Sequence, residues 1–215
     1  MFLQKIMPID QLKPPQNWRK VYNNIKTMRK DETAPVDQFG ADKCVDKRAS
    51  KKDQRFQVLV SLIISSQTKD QITFEAMTRL LDHGLDAETI SKISKKELKD
   101  LIYPVGFWKT KTKYLKNVSK ILLDKYEGDI PDTVDELLEL PGVGPKVANL
   151  AMTIAWDEVT GISVDSNIHR VVSRLGWVPA SCKTPNKSQK VLEEWVPKKE
   201  VSHFLFHPSD IKLKQ

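Results

Sequence analysis

The sequence has few cysteines and no long apolar run, and each absence excludes a class of protein. No apolar stretch approaches the roughly 20 residues of a membrane-spanning helix, so none is expected. The two cysteines, Cys44 and Cys182, are too few for a disulfide framework and lie far apart in the sequence. We therefore expect reduced thiols and a reducing compartment. The sequence also has no internal repeat or low-complexity segment, which excludes a fibrous protein.

The composition is that of a globular protein. Of the 215 residues, 40% are hydrophobic and 29% are charged, so the chain can bury a core and is not wholly disordered. A chain of this length forms one large domain or two small ones.

Positive charge is concentrated near the start of the chain. The net charge is +7, and residues 1–30 contain seven Lys and Arg residues against Asp10 alone, a local balance of +6. Such a basic segment suits nucleic acid, an anionic membrane surface or an import signal. A solvated basic tail is the plainer alternative.

The spacing of apolar residues predicts an all-α protein. No alternation of apolar and polar residues lasts longer than about four positions, which is too short for a strand. Helical spacing predicts helices over about 18–28, from 56, from 70 to about 81, and from 114 to 127. Three further helices are expected to begin after side chains that cap backbone amides: Ser94, Thr133 and Thr184.

The stretch 138–148, Leu-Glu-Leu-Pro-Gly-Val-Gly-Pro-Lys-Val-Ala, carries the strongest chemical signal. Pro141-Gly142 ends one helix, and Pro145 suits the first position of the next. A Gly-x-Gly turn at a helix N-terminus exposes backbone amides that can bind a phosphate. A plain helix–helix turn is the alternative interpretation.

Lys146 and Asp165 are the candidate catalytic residues. Lys146 lies in the first turn of a predicted helix, where the positive potential disfavours an ammonium group and favours the free amine needed for Schiff-base chemistry. An ordinary phosphate contact is the alternative. Asp165 precedes an apolar-periodic run, so it is expected to cap a helix, or to act as a base or electrostatic partner of Lys146.

These motifs resemble the helix–hairpin–helix DNA glycosylase superfamily, and within it the endonuclease III family. The resemblance rests on the hairpin with Lys146, on Val-Asp-Ser-Asn-Ile-His-Arg from Val164, on Ser-Ser-Gln-Thr-Lys-Asp at 65–70, and on Gly106-Phe107. It covers about residues 17–197, and the segment 18–30 is similar to the eukaryotic branch.

The resemblance implies two helical lobes. A six-helix barrel would span 51–158 and include the hairpin, and a second lobe would combine 17–50 with 159–215, after a basic, disordered tail at 1–16. The second lobe would be truncated, because the sequence departs from the family after about residue 197.

The resemblance also implies roles for individual residues. Lys146 would attack C1′ of the damaged nucleotide, and Asp165 would stabilise the sugar cation and help to activate Lys146. Gln67 would fill the gap left in the duplex, and Phe107 would wedge beside it. The hairpin residues Gly142, Val143 and Gly144 would present amides to a backbone phosphate.

Two departures from the family bear on function. The resemblance places Asn167 among the DNA-binding residues, but the family usually has histidine there, so in this sequence the position cannot titrate. The family's [4Fe-4S] cluster needs four thiolates, and this sequence has two cysteines, so we predict that no cofactor is bound.

The resemblance thus implies a bifunctional DNA N-glycosylase/AP lyase for oxidised pyrimidines in base-excision repair. The partner would be double-stranded DNA with oxidised pyrimidines or abasic sites, with no membrane, and the protein would be a monomer. Its expected location is the nucleus, with the mitochondrion as an alternative. A non-catalytic helix–hairpin–helix DNA-binding protein and an inactive truncated isoform remain the alternative functions.

Overall fold

The computed structural model describes residues 14–31 and 35–197. The expected basic tail lies outside these residues except for 14–16, and so does everything after 197. The described residues contain no strand, which confirms the all-α prediction. They form a short 3-10 helix, Ala41–Lys43, and eleven α-helices: α1 (Trp18–Arg29), α2 (Pro35–Phe39), α3 (Lys51–Ser65), α4 (Asp70–His83), α5 (Ala87–Lys92), α6 (Lys95–Ile102), α7 (Trp108–Lys125), α8 (Val134–Leu138), α9 (Pro145–Ala155), α10 (Ser166–Arg174) and α11 (Pro185–Trp195).

Capping side chains begin helices where the sequence predicted them. The Ser94 hydroxyl accepts the Glu97 N–H at 3.1 Å, and the Thr133 hydroxyl accepts the Glu136 N–H at 3.4 Å. Thr184 caps α11 in the same way. Each cap satisfies an amide that has no partner within its helix, and so fixes the start of the helix locally.

The described residues divide into two compact units, residues 35–160 and residues 14–31 with 161–197. In the unit of 35–160, α3 packs against α4, α7 and α9. Its side chains Phe56, Leu59 and Ile64 have no exposed surface, so this helix is the centre of the unit's core. The hairpin and its following helix α9 are therefore fixed against the most buried helix of this unit.

The other unit has an aromatic core. Among its described residues, 14–31 and 161–197, helices α1, α10 and α11 supply most of the buried apolar side chains, and the segments between them add others, such as Trp177. The ring of Trp195 meets Trp18 at 5.4 Å and Trp177 at 6.2 Å between centroids, both edge to face. Such edge-to-face pairs are the favoured arrangement of buried aromatic rings.

Residues 35–50 lie in a different unit from the one that the sequence interpretation gave them. That interpretation placed 17–50 in the second lobe, whereas the structure groups 35–50 with 51–160. Cys44 is 1% exposed within the core built around α3, and the Asp46 N–H donates to Gln57 at 2.8 Å. The segment therefore packs on α3, and only residues before 35 join the other unit.

No helix among the described residues is long and apolar enough to cross a membrane.

Candidate active site

The hairpin joins α8 to α9 through a tight turn. Gly142 has a φ of +85°, a left-handed conformation that favours glycine. Gly144 precedes α9 and offers no side chain to cap it, and Pro145 is the first residue of the helix, as the sequence predicted. A Cβ atom at Gly144 would meet nothing within 4 Å, so the backbone there is open to an approaching phosphate.

Val143 differs from the other hairpin residues. The resemblance gave its amide to a phosphate, but that N–H donates to the Leu140 carbonyl at 3.1 Å. Its side chain is 8% exposed and belongs to the core of its unit. The expectation for Val143 is therefore wrong, because its N–H already has an acceptor within the turn. Of the flanking glycines, Gly142 is exposed and Gly144 is half-buried.

The ring of Tyr114, in α7, packs against the hairpin at Gly142. A Cβ atom at Gly142 would lie 2.6 Å from Cδ2 of the Tyr114 ring, closer than van der Waals contact allows. The ring therefore occupies the space that a side chain at position 142 would need. Its contact with Gly142 sets how closely the turn packs against α7.

Gly142→Ala is expected to destabilise this unit. The left-handed conformation alone costs an alanine about 1–2 kcal/mol, and displacement of the Tyr114 ring adds to that. Urea unfolding measures the loss. Gly144→Ala is the matched control, because its φ of −109° suits alanine and its Cβ meets no atom, so the free energy of unfolding should stay within about 0.5 kcal/mol. Equal losses in the two variants would contradict this account.

Lys146 is the second residue of α9 and is half-buried. The first-turn amides of a helix have no partner within it and carry positive potential. The helix has no acidic residue in its first turn. The side chain of Lys146 therefore begins at the positive end of a helix, two residues after Gly144.

Asp165 caps α10. Its Oδ1 atom accepts the Ile168 N–H at 2.8 Å, which confirms the capping interpretation. Asn167 lies exposed in the first turn of the same helix, where its Oδ1 accepts from Arg170 at 3.3 Å. The cap holds the Asp165 carboxylate at a fixed helix end, so its position is set by the backbone of α10.

Gln67 and Phe107 are brought together although 40 positions separate them. We call residues 64–68 the plug segment and residues 103–108 the wedge loop. A Cβ atom at Gly106 would lie 2.5 Å from the Gln67 carbonyl oxygen, so the two backbones are in direct contact. The Gly106 N–H donates to Thr68 Oγ1 at 3.1 Å.

Gln67 and Phe107 both have unusual backbone conformations. Gln67 has a φ of +50° and Phe107 a φ of +57°, which are rare for residues other than glycine. Gln67 is exposed, and Phe107 exposes 65% of its surface. Phe107 is therefore an exposed aromatic side chain on a constrained backbone, where it is accessible to another molecule.

The other end of the wedge loop is also fixed. The guanidinium of Arg79 donates to the carbonyl oxygens of Leu101 and Tyr103, at 2.7 and 2.6 Å. The Tyr103 ring meets that of Trp108 edge to face at 5.8 Å. These contacts therefore hold the wedge loop at both ends, and they fix the backbone that carries Phe107.

The sequence analysis missed Lys111, which is buried behind the plug segment. The signal was present, because position 111 shares a helical face with the apolar residues Leu115, Val118 and Leu122, and a lysine there breaks the pattern. The residue is 3% exposed, and its ammonium group donates to oxygens of the plug segment.

The residues present do not fit the family's iron–sulfur cluster. The sequence has two cysteines where four thiolates are needed, and the described residues contain no group of His, Cys, Asp or Glu placed to hold a metal ion. Burial raises the pKa of Cys44 to about 11 and raises the pKa of Cys182 as well, so both favour the thiol over the thiolate that ligates metals.

We expect the purified protein to contain no stoichiometric iron and to lack the visible absorption of an iron–sulfur cluster. Iron analysis and an absorption spectrum of anaerobically purified protein test this. The double variant Cys44→Ser/Cys182→Ser is the control and should have the same spectrum. Iron that is bound by the native chain and lost in this variant would contradict the prediction.

Comparison with known proteins agrees with this geometry. The profile of the HhH-GPD superfamily, described as a base excision DNA repair protein, matches residues 60–198. Over 184 residues the chain is 52% identical to endonuclease III-like protein 1 of Bos taurus, with 86% of this chain and 60% of that protein covered. For the same protein of Mus musculus the identity is 53%, with 86% and 61% covered. The chain thus spans about three fifths of the length of these relatives.

Solved structures give the same result. A non-covalent endonuclease III–DNA complex matches with a TM-score of 0.76 at 26% identity, over 91% of this chain and 83% of that one. A trapped endonuclease III–DNA covalent intermediate matches with a TM-score of 0.75 at 26% identity, over 91% and 84%. Since the superfamily profile extends over more than half of the sequence, the chain belongs to the HhH-GPD superfamily of base excision DNA repair proteins, with the endonuclease III fold.

Proposed function

We propose that this protein is a DNA N-glycosylase and AP lyase that removes oxidised pyrimidines of the thymine glycol type from double-stranded DNA. The observation that carries the proposal is the position of Lys146, in the first turn of α9 directly after an open glycine hairpin. This arrangement supplies a phosphate-binding backbone and an amine within one short stretch of chain. The similarity to a trapped covalent endonuclease III–DNA intermediate supports the same chemistry.

In the proposed reaction, the neutral amine of Lys146 attacks C1′ of the damaged nucleotide. The bond between C1′ and the base breaks, and the base leaves with its electron pair and takes up a proton. The attached amine then loses a proton, and its electron pair forms the C=N bond of a protonated Schiff base as the C1′–O4′ bond breaks and O4′ takes up a proton. The Schiff base acidifies the neighbouring sugar carbon C2′, and loss of its proton allows β-elimination of the 3′ phosphate. Water then releases the lysine. Asp165 supplies a carboxylate that stabilises positive charge on the sugar.

Binding would use the surface of the 35–160 unit. The hairpin glycines would hold a backbone phosphate, while Gln67 and Phe107 enter the duplex at the place of the extruded nucleotide. Extruding a nucleotide costs stacking and pairing, and side chains that fill the gap offset part of that cost. Their exposure and close backbone contact support this role.

Borohydride trapping tests the proposal. The full chain is incubated with a duplex that carries one thymine glycol, and separately with a duplex that carries one abasic site, and reduction should yield a covalent adduct with both. Affinity for the duplex should fall steeply with salt, because phosphate contacts release counterions. Tight binding with no adduct would favour the alternative, a non-catalytic helix–hairpin–helix DNA-binding protein.

A further inference from the structure

Lys111 makes an unusual set of contacts for a lysine inside a helix. Its Nζ donates to the Ile64 carbonyl at 2.8 Å, to Thr68 Oγ1 at 3.1 Å and to the Ser66 carbonyl. All of these acceptors belong to the plug segment, on both sides of Gln67. One buried ammonium group therefore ties the plug segment to α7.

The ammonium group of Lys111 is buried, and its burial has a free-energy cost that its contacts must offset. Burial lowers the pKa of Lys111 to about 8, so at neutral pH the group is still mainly an ammonium, with three donors to place. Removing this group would leave the carbonyl oxygens of Ile64 and Ser66 without this donor. Because all of its acceptors lie in the plug segment, Lys111 fixes the position of that segment relative to α7.

Thr68 extends this connection to the wedge loop. Its Oγ1 accepts from Lys111 and also from the Gly106 N–H at 3.1 Å, and it donates to the Ser66 carbonyl at 3.2 Å. The hydroxyl thus uses its whole hydrogen-bonding capacity within this cluster. Phe107 follows Gly106 and is the N-cap residue of α7, the helix that carries Lys111. The plug segment and the wedge loop therefore share one support.

That support holds two residues in conformations that they rarely adopt. Gln67 and Phe107 both have left-handed backbones, and such conformations persist only when their surroundings enforce them. The contacts of Lys111 and Thr68 lie on the residues that flank both positions.

We propose that Lys111 is a positioning residue, which fixes Gln67 and Phe107 relative to each other so that both enter the duplex together during extrusion of the damaged nucleotide. This inference rests on the proposed function. According to this inference, Lys111 is needed for cleavage of double-stranded DNA, where a gap in the duplex must be filled. It is not needed for the chemical step carried out by Lys146.

Lys111→Met tests the inference, and Lys116→Met is its matched control. Lys116 lies five residues further along the same helix and donates to the carbonyl oxygens of Ile90 at 3.0 Å, Ile93 at 2.6 Å and Ser91, none of which belongs to the plug segment. Both variants remove an ammonium group that caps a helix end through several carbonyls. Thermal unfolding monitors the stability of each variant.

Two readouts separate positioning from simple stability. The first is the ratio of cleavage at an abasic site in duplex DNA to cleavage at the same site in single-stranded DNA, which leaves no gap in a stack. The second is fluorescence of 2-aminopurine beside an uncleavable abasic analogue in duplex DNA, which reports disruption of stacking without chemistry. For Lys111→Met we expect the ratio to fall about 10- to 100-fold and the fluorescence change to be lost. For Lys116→Met we expect both to match the native protein.

Each outcome decides the inference. If both variants change the two readouts equally, or if Lys111→Met changes neither, the positioning role is overturned. If the native protein cleaves neither substrate, the proposed function fails, while the fluorescence change still decides whether Lys111 positions the inserted residues. Should Lys111→Met not fold, Thr68→Val removes the shared hydroxyl at nearly constant volume and is expected to lower the same ratio and fluorescence change.

Discussion

Lys146→Gln is expected to abolish the borohydride adduct and to lower strand cleavage by about 10⁴-fold or more. Glutamine has similar length and polarity, but its amide nitrogen cannot attack a sugar carbon or form a Schiff base. The hairpin before it would be unchanged, so affinity for a duplex with an abasic analogue should stay within a few-fold. Trapping gels and a binding titration on the same preparation measure both effects.

Lys187→Gln is the matched control for this experiment. Lys187 also lies in the first turn of a helix whose first residue is proline, since α11 begins at Pro185 after its threonine cap. It is exposed and lies far from the hairpin in sequence. Its variant should trap DNA as the native chain does. Equal trapping by the native protein and Lys146→Gln would show that another amine is the nucleophile.

Asp165→Asn and Asp165→Ala are expected to separate the structural and chemical roles of this residue. Asparagine caps helices as well as aspartate, so Asp165→Asn should keep the hydrogen bond to the Ile168 N–H and the stability of α10. It removes the negative charge, and we expect base excision to fall about 100-fold. Asp165→Ala should lose the charge and also about 1 kcal/mol of stability, which lowers Tm by about 2–4 °C.

Thermal unfolding and single-turnover excision distinguish these outcomes. If Asp165→Asn excised bases at the native rate, the carboxylate would serve only as a cap. If Asp165→Ala lost activity while Asp165→Asn kept it, the requirement would be for an ordered helix start and not for charge.

Sequence reasoning succeeded where structure is decided within a few residues. Ser94, Thr133 and Thr184 cap the helices that they were expected to begin, because a cap involves only a side chain and amides a few positions away. The start of α9 at Pro145 follows from the same local chemistry. The conformation of Gly142 likewise follows from the turn in which it lies.

Sequence reasoning failed where distant parts of the chain decide the outcome. Cys44 joins the core around α3 through contacts that spacing does not encode, so residues 35–50 were placed in the wrong unit. The amide of Val143 is satisfied within the turn, which a Gly-x-Gly pattern does not reveal. Lys111 reaches acceptors more than forty positions away, and only its place on an apolar helical face indicated that it was buried.

The shared support of the plug segment and wedge loop limits how these two segments can be exchanged between this chain and its relatives. Position 106 has no room for a side chain beside the Gln67 carbonyl, and the Thr68 hydroxyl bonds both to Gly106 and to Lys111. If the plug segment alone were taken from a relative, it would no longer match the residues of α7 and the wedge loop that hold it. Gln67 and Phe107 would then lose their positions relative to each other. Chimaeras that aim to transfer lesion preference would therefore need to exchange residues 64–68 and 103–111 as one cassette.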